Sequence, residues 1–240
     1  MYEKRTYRDL IKVGDLVSFG VSVKETDLWI FADRVLESKA KEHVFKIRGY
    51  IESYIQSYPG FLKTLVPWGV DAPTPLIVRE MAEAGIRAGV GPMAAVAGAV
   101  AESVGIELLG YSNEIIVENG GDIFIKLNRP FTYAIFAGKS PLSMRFGIRL
   151  NSPGTPVAVC TSSATIGHSF SAGKADAVCV VSDACAVADA AATSVCNQVT
   201  SEKKIQQAID FGKQIDGVSA IVVIAGEEMG LWGNAEIVPL

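Results

Sequence analysis

Two oxygen-bearing side chains, Asp189 and Thr193, interrupt an alanine-rich stretch at residues 184–197. The stretch contains neither Gly nor Pro, which predicts a helix, and residues four apart share one helical face, about a turn apart. A carboxylate and a hydroxyl placed in this way offer two hard oxygen ligands to one Mg²⁺ ion. A carboxylate in an apolar segment is unfavourable unless it is paired, hydrogen-bonded or metal-bound. The pattern therefore leaves two hypotheses: a metal site, or hydrogen bonds from both side chains to a neighbouring loop.

The segment before this helix is typical of a strand followed by a cap. Residues 177–181 (AVCVV) are a short apolar run rich in β-branched side chains, which predicts a buried strand. Ser182 and Asp183 come next, and both residue types are favoured at helix N-caps. We therefore expect a strand, a cap and a helix in direct succession.

A polar, glycine-rich turn separates two strands predicted at residues 115–117 and 123–125. The turn consists of Asn119, Gly120, Gly121 and Asp122. An Asn-Gly pair alone indicates an ordinary hairpin. The second glycine and the flanking acids also allow a ligand to approach the backbone closely, so the turn is a candidate binding loop.

A second glycine-rich segment, formed by Gly91, Pro92 and Met93, leads into a small-residue helix predicted at 93–104. Proline is well suited to a helix start, and a helix N-terminus of this kind attracts an anion such as phosphate. Close helix packing through Ala and Gly explains the same residues, so both interpretations stay open.

A hydroxyl-rich loop at residues 161–169 (TSSATIGHS) directly follows a predicted strand. Loops at strand ends often carry function, and the candidate catalytic residues are Thr161, Ser162 and His168. Ser162, His168 and Asp183 can be written as a Ser–His–Asp triad, but the sequence has no GxSxG nucleophile elbow, which disfavours that chemistry. The remaining interpretation is a turn-forming Ser/Thr loop.

Composition sets the class of protein. The chain has 240 residues, 49% apolar and 20% charged, which is typical of a globular protein with a substantial core. We expect a single domain over residues 1–240. The net charge of −4 gives no basic surplus for nucleic acid.

The charged N-terminus argues against a signal peptide, and the longest uncharged apolar stretch, 88–101, is too short to cross a bilayer. We therefore expect a cytoplasmic protein without a membrane partner.

The four cysteines are expected to be buried, reduced thiols. Their spacing is not CxxC, and the chain has only two histidines, which argues against zinc.

Apolar periodicity predicts the remaining elements. These are a hairpin at 17–32, helices at 33–58, 76–87 and 202–214, strands at 131–137, 144–150, 156–161 and 220–224, a turn at 226–233, and an edge strand at 236–239.

Three of these segments together resemble the ApbE family of FAD:protein FMN transferases. They are VENGGD at 117–122, TSS at 161–163 and ADAAAT at 188–193, and they correspond to the family's N-x-G-G-[ND] loop, T-S-G loop and A-D-A-x-x-T helix. The resemblance covers about residues 89–231. It implies an α+β fold of the ApbE-like type, related to T-folds, with antiparallel sheets and helices packed on one face.

The resemblance also implies a site and a reaction. Asp189 and Thr193 would hold Mg²⁺, and residues 119–122 would lie against the flavin nucleotide of FAD. A Thr or Ser hydroxyl of an acceptor protein would attack the FAD pyrophosphate, so that FMN becomes phosphoester-linked and AMP leaves. The metal would neutralise charge on the pyrophosphate, and the helix start at Gly91, Pro92 and Met93 would donate backbone N–H groups to the same anion.

Two departures from the family pattern bear on function. The T-S-G loop reads T-S-S, and the family's H-[IL]-x-D-P-x-T-G segment has no Asp-Pro here, although His168 lies in the same interval. The first hypothesis is a Mg²⁺-dependent flavin transferase or another enzyme acting on a flavin or nucleotide diphosphate. The second is a non-catalytic flavin- or nucleotide-binding module, and the third is a structural protein. Homo-oligomers are compatible with all three.

Overall fold

An eight-stranded antiparallel sheet forms the centre of the fold in a computed structural model, which describes residues 13–71, 73–151, 153–165 and 173–240. Across the sheet, its strands are β1 (Val17–Val23), β2 (Thr26–Ala32), β3 (Ile115–Asn119), β4 (Asp122–Lys126), β7 (Val157–Ser162), β8 (Ala177–Ser182), β9 (Val218–Ala225) and β10 (Glu228–Gly233). Every neighbouring pair is antiparallel. The central strand β8 is buried along its whole length, which explains its uninterrupted apolar sequence.

A three-stranded sheet covers one face of the large sheet. It consists, in order, of β11 (Glu236–Pro239), β6 (Phe146–Leu150) and β5 (Phe131–Ala134). A second hydrophobic core lies between the two sheets and includes Ile123 and Cys179 of the large sheet and Ile148 of the small one. Side chains therefore alternate along each central strand between this core and the helices on the opposite face.

Helices pack on the other face of the large sheet, as the α+β prediction states. They are α1 (Glu37–Ser57), α2 (Gly60–Lys63), α3 (Leu76–Ala88), α4 (Val96–Leu108), α5 (Cys185–Gln198) and α6 (Ile205–Gly212). The larger core joins these helices to the sheet and includes Phe124, Cys160 and Val178. Helix α5 lies against α3, α4 and the strands β7 and β8, so it occupies the centre of the helical layer.

Most predicted elements are confirmed, and the turn predicted at residues 226–233 is wrong. Residues 228–233 form β10, which pairs antiparallel with β9 from Glu228 opposite Ala225 to Gly233 opposite Ala220. The turn is confined to two residues and uses a positive φ of 60° at Gly226. Glycines within the strand hide its apolar alternation, whereas its backbone hydrogen bonds come from β9 irrespective of side chain.

The N-terminus of α5 is capped from another helix. The prediction that Ser182 and Asp183 cap it is wrong, because the N-cap position is Ala184 and no side-chain hydrogen bond is made from it. Instead, Oε2 of Glu102 on α4 accepts a hydrogen bond from the N–H of Cys185 at 2.9 Å. Burial raises the pKa of Glu102, and the N–H groups at the start of α5 oppose that shift.

The four cysteines are free and buried, as predicted. Burial raises the pKa of the Cys179 thiol to about 12, and it raises the pKa values of Cys160 and Cys185 as well. These thiols are therefore protonated at neutral pH, and a protonated thiol is a poor nucleophile and metal ligand.

No single helix in the described ranges is both long and apolar enough to cross a membrane. Two consecutive helical segments, Leu76–Ala88 and Pro92–Leu108, reach that length and composition when they are taken together, but the chain bends by 105° between them.

Removing the carboxylate of Glu102 should destabilise the fold. We expect Glu102→Ala to lower the free energy of unfolding by about 0.5 to 2 kcal/mol, the usual effect of losing an N-cap acceptor. Glu102→Gln keeps an acceptor oxygen and should lose less. Urea unfolding measures the difference, with Lys41→Ala, an exposed change on α1, as the control. Equal losses for the Ala and Gln variants would contradict the capping role.

Candidate functional site

The predicted binding loop is a two-residue hairpin turn between β3 and β4. Asn119 pairs with Asp122 across the turn, and the central Gly120 and Gly121 have φ values of 72° and 108°. Positive φ at both central positions is the type I′ pattern, which favours glycine. The N–H of Gly121 donates to Oε1 of the buried Glu118 at 3.0 Å, so a carboxylate beneath the turn fixes its backbone.

The hydroxyl-rich loop begins beside this turn. A Cβ built on Gly121 would lie 3.7 Å from the carbonyl oxygen of Thr161, so the end of β7 flanks the glycines. The Thr161 hydroxyl contacts the Tyr133 hydroxyl at 3.1 Å and donates to Sγ of Cys179 at 3.3 Å. Tyr133 lies in the small sheet, and Cys179 faces it from the large sheet. Thr161 therefore directs its hydroxyl away from the helices.

Ser162 faces the opposite side of the sheet from Thr161. Successive strand residues alternate faces, and Cys160, two residues earlier, belongs to the core beneath the helices. Ser162 is 8% exposed and pairs in register with Val178 of β8. Of the two hydroxyls predicted to be catalytic, only Ser162 shares the helical side of the sheet.

Asp122 is a buried carboxylate with an unpartnered oxygen. Its side chain is 7% exposed, and Oδ1 has no hydrogen-bond partner among the described residues. Burial raises the pKa of Asp122 well above its usual value, and the nearby charge of Asp189 raises it further. Hydrogen bonds from Cys160 and the Thr161 backbone oppose the shift. A cation or a proton at this position would remove the electrostatic penalty.

Asp189 lies on α5, as predicted, and its carboxylate holds the start of α4. Its Oδ2 accepts the N–H of Gly98 at 2.9 Å. Burial raises the pKa of Asp189 to about 7, although the N–H groups of Gly98 and Ala97 favour the charged form. Thr193 follows one turn later on the same helix. Asp189 therefore accepts a hydrogen bond from the first turn of helix α4 rather than from a loop, and the metal hypothesis stays a prediction.

The segment Gly91, Pro92 and Met93 lies before α4, in a tight entry to the helix. A short 3₁₀ turn covers Pro92–Ala95. A Cβ on Gly91 would lie 2.0 Å from the carbonyl oxygen of Thr64, so close packing explains this glycine. The carboxylate of Asp189 already faces the N-terminal N–H groups of α4. The phosphate interpretation of this segment stays a prediction.

The remaining candidates do not add to this junction. His168 lies outside the described residues. Asp183 is exposed at the start of α5. Among the described residues, no three His, Cys, Asp or Glu side chains are grouped to hold a metal. Asp189, Thr193 and Asp122 nevertheless supply only hard oxygens, which suit Mg²⁺ rather than zinc.

A separate cleft of about 380 Å³ opens near the ends of β8 and β9. It is lined by Lys174, Thr200, Ser201, Glu202, Lys203, Ala225 and Gly226. None of the predicted site residues lines it. The candidate site is instead a close junction of strand ends and helices.

Sequence reasoning missed two residues that build this junction, Gly98 and Glu102. Glycine in a helix interior is unfavourable by about 1 kcal/mol relative to alanine. A glycine at position 98 of a predicted helix therefore indicates that another element packs closely there. Glu102 was the acidic residue in the otherwise small and apolar run AVAGAVAES. Neither pattern shows which helix is contacted.

This arrangement defines an ApbE-like fold. The flavin transferase ApbE from Vibrio cholerae superposes with a TM-score of 0.57 at 14% identity, covering 92% of this chain and 97% of that one. The apo flavinyl transferase ApbE from Pseudomonas stutzeri also gives a TM-score of 0.57 at 14% identity, covering 92% and 94%. At this identity the similarity establishes the fold.

The chain belongs to the family described as AbpE bacteria, whose model matches residues 8–230. Similar relatives include proteins described as UPF0280 proteins. That of Methanocaldococcus jannaschii is 40% identical over 220 residues, covering 89% of each chain. That of Methanocella arvoryzae is 37% identical over 214 residues, covering 88% of this chain and 86% of the relative.

The desolvated carboxylates Asp122 and Asp189 should make the fold less stable as pH rises from about 4 to 8. An unfolded aspartate has a pKa near 3.9, whereas that of folded Asp189 is about 7. Between these values the folded protein binds more protons than the unfolded chain, so the free energy of unfolding falls as pH rises. Asp122→Asn should flatten this dependence for two reasons. It removes the ionisation of Asp122 itself, and it removes the negative charge that opposes ionisation of Asp189.

Urea unfolding at a series of pH values, without divalent cations, measures this effect. Asp183→Asn, at an exposed position, is the control and should follow the wild type. A decline with pH that is identical in Asp122→Asn and the wild type would contradict the electrostatic account of the site.

Proposed function

We propose that the chain binds a flavin dinucleotide against the 119–122 turn and, with Mg²⁺ on Asp189 and Thr193, transfers FMN from FAD to a hydroxyl of an acceptor protein. The observation that carries the proposal is the pair of desolvated carboxylates, Asp122 and Asp189, whose charges repel each other, together with Oδ1 of Asp122, which has no hydrogen-bond partner within the described part of the chain. Such a pair is unfavourable without a compensating positive charge. The fold shared with proteins named flavin transferases supports the same reaction.

The chain's own residues would bind and orient the substrate. Gly120 and Gly121 carry no side chain, so a flat ring can approach the backbone of the turn. Asp189 is oriented by the N–H of Gly98, which donates to Oδ2, and its carboxylate would face the cation. A bound Mg²⁺ supplies positive charge for the pyrophosphate and for the leaving phosphate. Ser162 lies on the same side of the sheet and is available to hydrogen-bond the substrate.

A second candidate function is a module that binds a flavin nucleotide without transferring it. The position of Thr161 favours this alternative, because its hydroxyl contacts Tyr133 and Cys179 on the face away from Asp189. The first predicted hydroxyl of the T-S-S loop is therefore turned away from the proposed metal. The lack of an Asp-Pro pair after this loop favours the same alternative.

The transferase requires FAD binding that depends on Mg²⁺ and on Asp189, and the binding module requires that a flavin nucleotide binds. A ligand at 100 times its Kd adds about 2.7 kcal/mol to the free energy of unfolding, which raises the Tm of a chain of this size by roughly 5 to 10 °C. We expect that shift with FAD plus Mg²⁺ and a loss of most of it with FAD alone. In Asp189→Ala the shift should disappear, whereas Asp183→Ala should keep it.

A wild-type Tm that does not respond to FAD, FMN or AMP, with or without Mg²⁺, would overturn both functions. Each variant is compared with its own ligand-free Tm, because the substitutions change stability by themselves.

Release of AMP separates transfer from binding. Wild-type protein incubated with FAD, Mg²⁺ and a Ser/Thr-containing acceptor peptide should release AMP in proportion to the FMN attached, as measured by chromatography and mass spectrometry. Stoichiometric retention of FAD without AMP would support the binding module instead.

A further inference from the structure

One peptide group, the amide that joins Ala97 to Gly98, contacts both halves of the proposed site. Its carbonyl oxygen, on Ala97, accepts a hydrogen bond from Nδ2 of Asn119 at 3.0 Å. Its N–H, on Gly98, donates to Oδ2 of Asp189 at 2.9 Å. A single rigid plane therefore connects the binding turn with the predicted metal helix.

The first turn of α4 is suited to this role. The N–H groups of a helix's first turn have no intrahelical acceptor, so the Gly98 N–H is available to a side chain. A backbone carbonyl oxygen has two lone pairs, so Ala97 can accept from Asn119 in addition to its helical bond. Neither contact disturbs the hydrogen bonds of the helix itself.

Glycine is required at position 98 because α5 lies too close for a side chain. A Cβ built there would lie 2.4 Å from the carbonyl oxygen of Cys185 and 2.9 Å from Cβ of Asp189. The first contact is with backbone, which cannot move without shifting α5. Any larger residue would displace the helix that carries Asp189 and lengthen the hydrogen bond that orients its carboxylate.

We infer that the Ala97–Gly98 amide is a positioning element that holds Asn119 and Asp189 in fixed relation, and that Gly98 is a positioning residue for both. The inference rests on the proposed function only in giving these two side chains a flavin nucleotide and a cation to hold. The coupling between them is a property of the fold. Loss of the bridge should weaken the binding of FAD and Mg²⁺, although every side chain proposed to contact them is still present.

The main test compares Gly98→Ala with Gly105→Ala on the same helix. Gly105 is also buried, and a Cβ there would meet the Phe124 ring at 2.2 Å, so both variants introduce a methyl group into a close contact. Both should lower the Tm. Only Gly98→Ala should weaken Mg²⁺-dependent FAD binding, by tenfold or more in calorimetry, whereas Gly105→Ala should stay within about twofold of the wild type, since uncoupled sites act independently.

A second measurement keeps the inference testable if Gly98→Ala does not fold. Amide hydrogen exchange of Gly98 reports its bond to Asp189 directly. Asp189→Ala should speed that exchange by at least tenfold, and Asp189→Asn, which keeps an acceptor oxygen, should restore most of the protection while still lacking the carboxylate. Asn119→Ala should also speed exchange of the Gly98 amide. In the double variant with Asp189→Ala, the factor by which exchange is speeded should be smaller than the product of the factors of the two single variants.

The outcomes separate this inference from the proposed function. If wild-type protein binds FAD and Mg²⁺ and Gly98→Ala binds them equally well, the bridge is not a positioning element and the proposed function stands. If wild-type protein binds neither, the proposed function fails, and the exchange data alone decide whether the bridge couples the two side chains. Exchange of Gly98 that is unchanged in Asp189→Ala, or strictly multiplicative effects in the double variant, would overturn the inference.

Discussion

The close contact between α4 and α5 is the constraint on which the site depends. Each helix supplies a carboxylate to the other's N-terminus: Asp189 of α5 accepts from Gly98, and Glu102 of α4 accepts from Cys185. The exchange satisfies N–H groups that neither helix could satisfy alone, and favours negative charge where each helix dipole is positive. It also fixes the relative position of the two helices, and with them the position of Asp189 over the sheet.

This exchange has an electrostatic consequence. Both carboxylates lie where burial raises their pKa values, and Asp122 is brought next to Asp189 from the strand side. A fold selected for stability alone would place apolar side chains at these positions. Acidic side chains close together in an otherwise apolar layer do not favour stability, and such departures from stable packing are expected at functional sites. The same feature is the physical basis of the expected dependence of stability on pH.

The sheet contributes by separating the polar groups onto two faces. Asn119, Asp122 and Ser162 turn toward the helices, whereas Glu118 and Thr161 turn toward the small sheet, because strand residues alternate. Glu118 supports the glycine turn from beneath. The predicted residues are thus divided between the side of the sheet on which Asp189 lies and the side on which Glu118 lies.

The sequence by itself determined the strand that precedes α5 and the shared helical face of Asp189 and Thr193, because these follow from local periodicity and composition. The α+β class was implied by the resemblance of three segments to the ApbE family. The sequence also located the 119–122 turn, since two successive glycines specify a backbone that few other residues adopt. Only the tertiary structure decided that Glu102, rather than Ser182 or Asp183, caps α5, and that residues 228–233 form a strand. In both cases the hydrogen-bond partner is distant in the chain, and no local pattern encodes it. The faces occupied by Thr161 and Ser162, and the bridge through Gly98, likewise depend on strand register and helix contact, which are set by how the layers pack together.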